Sequence, residues 1–151
     1  MANSAAICNS FKTELFNGIH AFGTSVVRAG TGADTFKAAL YLATATVNKS
    51  TTAYSSTNEV SGTNYTAGGV AVTNANAPAN ASDISYWTPS ASFAWTTVTL
   101  STAFDCCLIY NSTQSNKAVA AFTFSSQTVT AGNFTLTMPT NDQTTGLLRL
   151  A

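Results

Sequence analysis

The stretch Asn133-Phe134-Thr135-Leu136-Thr137-Met138 decides the fold. Apolar and polar residues alternate in it at every second position, the period of a strand with one buried face. Phe134, Leu136 and Met138 turn inward and the threonines face water. Residues 93–100, 104–110, 118–124 and 146–150 have strand length and a β-branched and aromatic composition. The polar run 111–116 lies between two apolar runs and predicts a hairpin. Further upstream, Phe36, Ala38, Leu40 and Leu42 share one face at period two. Residues 48–63 form a polar stretch too long for a turn and read as an ordered surface excursion. Gly68-Gly69 introduces a short strand over 70–73, and the Asn-Ala-Pro-rich run 74–82 reads as loop. Short strands with polar connections give a mainly β fold, a single β-sandwich or jelly-roll-like domain with a short N-terminal helix.

That helix rests on Ile7, Phe11 and Leu15, which recur every fourth residue and stack on one helical face. Asn3 or Ser4 is placed to cap it and Gly18 to end it. Residues 23–34 contain three glycines and read as a mobile link. The expected organisation is therefore an arm over residues 1–33 and a β-sandwich over 34–151, with the latter folding alone. The stripe Ile7, Phe11 and Leu15 is a candidate interface for an adjacent subunit.

Composition narrows the function. The 151 residues can bury roughly 70% of the unfolded surface as one domain. Only 8% of them are charged, against roughly 25% in soluble domains. Six basic residues balance six acidic ones, so the net charge is zero. A surface of Thr, Ser and Asn is hydrated but does not repel copies of itself. It suits a protein covered by partners. The scattered Lys12, Arg28, Lys37, Lys49, Lys117 and Arg149 give no stripe for phosphate, so no nucleic-acid partner is expected. No apolar run approaches a membrane span, and Met1-Ala2-Asn3-Ser4 lacks the basic start of a secretory signal.

Little in the chain points to catalysis. His20 is the sole histidine, and the carboxylates Glu14, Asp34, Glu59, Asp83, Asp105 and Asp142 fall in six separate segments. Most lie beside turns, where Asp forms caps and Asx-turns. Cys8, Cys106 and Cys107 lack metal spacing and read as buried free thiols. No catalytic residue, metal or cofactor is expected, and the chain reads as no enzyme. Among the aromatics, Phe93 and Trp95 fit a core face. Tyr86-Trp87, beside Pro89 in a loop-like context, is the candidate interface anchor, and also the ring platform of an alternative carbohydrate-binding module.

The stretch Asp34-Thr35-Phe36-Lys37-Ala38-Ala39-Leu40-Tyr41, followed by Thr51-Thr52-Ala53-Tyr54-Ser55-Ser56-Thr57-Asn58-Glu59-Val60-Ser61-Gly62, resembles a family of small virion structural proteins of tailed bacteriophages. Tyr65-Thr66-Ala67-Gly68-Gly69, Leu108-Ile109-Tyr110-Asn111-Ser112-Thr113, Asn116-Lys117-Ala118-Val119-Ala120 and Ala131-Gly132-Asn133-Phe134-Thr135 extend the likeness in order. The resemblance implies a structural role in the virion, assembled in the host bacterial cytoplasm, with capsid decoration or cement preferred over a tail adaptor or fibre. It implies the major capsid protein and copies of this chain, as a homotrimer, for partners. It carries no catalytic residues over.

Overall fold

A computed structural model describes residues 2–16, 18–23 and 32–151, with the backbone alone at Thr13 and Phe16. The fold is mainly β, with two antiparallel sheets and a short helix near the N-terminus. Strands β1 (Ala6–Ile7), β2 (Phe36–Leu42), β3 (Val70–Ala71), β6 (Phe93–Asn111) and β7 (Lys117–Leu136) form one sheet in the order β1-β7-β6-β2-β3. Strands β4 (Ala79–Ala81), β5 (Ile84–Trp87) and β8 (Leu148–Leu150) form the other in the order β4-β5-β8. The sheets meet where the Trp87 ring of β5 packs on Phe36 of β2, centroids 6.2 Å apart. This is a β-sandwich-like arrangement.

Sequence separates 93–100 from 104–110, yet the two are one 19-residue strand, β6. Residues 118–124 and 134–136 likewise belong to one 20-residue strand, β7. The intervening runs do contain turn-forming types, Ser101, Ser125, Ser126, Gly132 and Asn133, but pairing across the ribbon, as at Phe104 with Gln127 and Val98 with Gly132, keeps them in the strands. Instead of turning, the strands shift register, with Thr97 at φ 53° and Ala131 at φ 46° absorbing extra residues. The expected hairpin between the two strands is present, closed by Lys117 N–H on the Gln114 carbonyl with Ser115 and Asn116 at positive φ.

β2 does not show the expected alternation. It lies between β6 and β3, and Phe36, Ala38, Ala39, Leu40 and Tyr41 are all buried because both faces are covered. Gly69 explains how β3 approaches so closely. It sits at φ 73°, and a Cβ there would collide with the Ala38 carbonyl oxygen. The supposed loop 74–82 contains β4, paired with β5 through a tight turn at Ser82 and Asp83, both at positive φ. The 48–63 excursion is ordered, as expected. It bridges to the sheet through Ala53 and Lys117, through Glu59 and Tyr41, and at its last residue through Thr63 and Thr99.

The helix α1 spans Asn9–Phe16, starting later than its apolar spacing suggests. Ile7 precedes it on β1, paired with Ala120, so the three-residue helical stripe does not exist. Asn3 caps nothing. Its side chain binds Val47 N–H at 2.8 Å, the Leu42 carbonyl at 3.1 Å and Asp105 Oδ1 at 2.7 Å, pinning the chain start to the body. Gly18 does end the helix. At φ 65° it donates to the Leu15 carbonyl while Ile19 donates to Glu14, the paired bonds of a Schellman motif. The described part of the expected arm is therefore built into the domain, with Cys8, Phe11 and His20 buried in the common core. Most of the Gly-rich link, residues 24–31, lies outside the described residues.

Candidate functional site

The five residues singled out as an interface are not brought together as one. Phe11 is 2% exposed and packs edge-on against His20 and Phe22, with ring centroids 4.8 and 5.9 Å away. Leu15 and Ile7 are half-buried against the same core. Trp87 lies on a strand rather than a loop and is 3% exposed. Its indole N–H donates to the Asn76 carbonyl at 3.0 Å, and its ring tilts on Phe22 at 4.6 Å. It has no free face for a sugar or a partner. Tyr86, its neighbour, is half-buried and pairs across the sheet with Ala79 and Arg149. Apolar spacing identifies residues that must be covered; here the chain covers them itself.

Three of the carboxylates expected beside turns are buried and hold the polar core. Glu14 Oε2 accepts from His20 Nε2 at 2.8 Å, and Glu14 Oε1 accepts from Lys117 Nζ at 2.7 Å. Burial pushes the Glu14 pKa up, but the Lys117 and His20 hydrogen bonds and charges outweigh it and hold the carboxyl below its ordinary range. Asn111 Nδ2 reaches His20 Nδ1 at 3.1 Å and Asp34 Oδ2 at 2.8 Å. Asp34 Oδ2 also accepts from Ala21 N–H at 2.8 Å. The His20 side chain has no exposed surface, and both ring nitrogens are engaged. It has no open position for exchanging a proton with a substrate.

Glu59 is anchored differently. Tyr54 and Tyr65 hydroxyls and the Gly68 N–H donate to its carboxylate at 2.7, 2.9 and 2.8 Å. Burial pushes the Tyr54 and Tyr65 pKa values up, and the Glu59 charge adds to this, so both stay donors. Tyr54 stacks on Tyr110 at 4.6 Å, fixing the excursion over the sheet. Tyr54 and Tyr65 flanking one lone acid were the available signal for this cluster. Asp142 keeps the expected Asx-turn role, accepting from Thr144 and Thr145 N–H at 2.7 Å. The three cysteines are free and buried as expected. Desolvation pushes Cys8 up to about 11 and Cys106 up to about 12, with Cys107 raised further.

No family model, curated protein or solved structure matches this chain. Function is therefore read from the surface itself. Among the described residues no cluster of His, Cys, Asp or Glu could hold a metal, and no helix is long and apolar enough to cross a membrane.

The surface feature that stands out is the outer half of the β6–β7 ribbon. β7 is covered along its outer edge by the 52–54 segment at Ala118 and by β1 at Ala120 and Ala121. From Phe122 to Leu136 that edge pairs with no strand among the described residues. Its fifteen residues include no charge and no proline, two devices that keep edge strands from pairing with other chains. Half-buried Phe122, Phe124 and Leu136, with Met138 and Leu147, line an apolar groove of about 140 Å³ beside it. The sequence alone turns Leu136 and Met138 inward and assigns no face to Phe122, Phe124 or Leu147. Their partial exposure depends on the sheet order, which no local pattern encodes.

Proposed function

We propose that this chain is a structural protein of a tailed-phage virion, a capsid decoration or cement protein that bridges shell subunits. The uncharged, unpartnered edge of β7 carries this reading. A 15-residue edge without charge or proline lacks two guards against pairing and keeps only its register shifts with β6, so its exposure favours a place where another chain covers it. Zero net charge and a Thr/Ser/Asn surface remove repulsion between copies packed on a lattice. Many copies on one particle would turn modest single contacts into firm attachment. The partners are the major capsid protein and copies of this chain, and the location is the virion.

Quantitative mass spectrometry of purified particles tests the role. A stoichiometry matching the shell lattice is expected, whereas one matching a tail ring would move the protein to the tail. Co-sedimentation of the Ser125→Lys/Thr135→Lys double variant with undecorated shells tests the surface. Both side chains are exposed, so the variant keeps its fold. It should leave the shells unoccupied; full occupancy would remove β7 from the contact.

A further inference from the structure

We propose that His20 is an acid-sensitive fastener, holding α1 and residues 18–23 to the main sheet while its ring is neutral and loosening them once the ring is protonated. This inference is independent of the virion reading. It rests on how the neighbours of the ring are fixed. Asn111 Oδ1 accepts the Thr113 and Gln114 backbone N–H groups, each at 3.1 Å. Its Nδ2 must therefore face the other way, donating to Asp34 Oδ2 and toward His20 Nδ1. Nδ1 is then the lone-pair nitrogen, and Nε2 carries the proton given to Glu14.

A second proton would sit on Nδ1 and meet the Asn111 amide donor against donor. Turning the amide over would abandon two backbone N–H groups and set its oxygen against the Asp34 carboxylate. Each outcome leaves buried polar groups unsatisfied. The charged groups facing the ring are Glu14 of α1, Asp34 ahead of β2 and Lys117 of β7. The two carboxylates favour a cation, but Lys117 already sits on Glu14 at 2.7 Å. Phe11, Phe22 and Phe36 supply an apolar wall. Burial dominates and holds the imidazole below its ordinary 6.5.

The sign follows. The opened segment takes up a proton more readily than the docked one. Docking is at full strength above 6.5 and weakens as pH falls from 6.5 toward the lowered folded value. Glu14 acts only further down, below its ordinary 4.5.

Amide hydrogen exchange on the full chain, corrected for intrinsic rates, from about pH 8 to about pH 5 tests this. Protection at Ile19 and Ala21 should fall by up to about tenfold per pH unit below 6.5, while Leu108 and Ile109 stay protected. The His20→Gln variant, which cannot take the proton, should show a flat profile at Ile19 and Ala21. If that variant does not fold, an NMR titration of the wild-type ring decides alone. A ring pKa at or above 6.5, or pH-independent protection in the wild type, would overturn the proposal.

Discussion

The two halves of the β6–β7 ribbon share their strands and differ in almost everything else. In the inner half, Cys106 through Asn111 and Ala118 through Ala121 are all buried, because β2 and β1 flank the ribbon and the excursion and helix close over it. In the outer half, burial alternates. Phe93, Trp95, Val98 and Leu100 are buried, while Ala94, Thr96 and Thr97 are exposed and Thr99 is half-buried. One half is the interior of this molecule and the other is finished only on one side. Strand composition alone does not separate interior from surface; neighbours do.

The comparison can be broken most severely from the inner side. Deleting residues 1–33 removes Cys8, Phe11 and His20 from the core and strips β1 from β7. Loss of Phe11 alone is worth about 3–5 kcal/mol, a large share of the roughly 5–15 kcal/mol that holds a domain together. The truncated chain should lose cooperative unfolding in a denaturant titration, contrary to the expectation of an independent 34–151 domain. Leu108→Ala, at a side chain with no exposed surface, should cost about 2–5 kcal/mol in the same assay. Glu59→Gln takes the charge from three donors and should cost about 1–3 kcal/mol. It should loosen the Tyr54–Tyr110 stack, read as a change in near-ultraviolet circular dichroism. On the outer side, Ser125→Lys/Thr135→Lys should shift stability by less than about 0.5 kcal/mol while abolishing shell attachment. A cost comparable to Leu108→Ala would mean that the outer half is interior after all.

Much of this was legible in sequence. Alternation at Phe134, Leu136 and Met138, the hairpin at 111–116, the stop at Gly18 and the buried thiols all follow from local chemistry. What was not legible is set by distant segments. The length of β6 and β7 follows from their pairing with each other, which overrides turn-forming residues such as Ser125, Ser126, Gly132 and Asn133. β4 lies in an Asn-Ala-Pro stretch with no strand composition and exists because β5 offers a partner. Trp87 looked available because Pro89 suggested a loop, yet Phe22, from far along the chain, and the Asn76 carbonyl fill its surroundings. Glu14 and His20 lie six residues apart across a helix end. Only the reversal at Gly18 lays one beside the other.

The pairing of Ala6 with Ala121 and of Ile7 with Ala120 also sets an order of events during synthesis. The first strand leaves the ribosome well before its partner, and the sheet has no place for it until most of the chain has emerged. Asn3, Ser4 and Asn9 find partners at Leu42, Val47 and Lys49 earlier, but β1 is fixed in the sheet only by a late closure on β7. In the interval the nascent chain carries Ile7, Phe11 and Leu15 uncovered, so slowing translation past Ala121 should prolong the period in which chaperones can engage it.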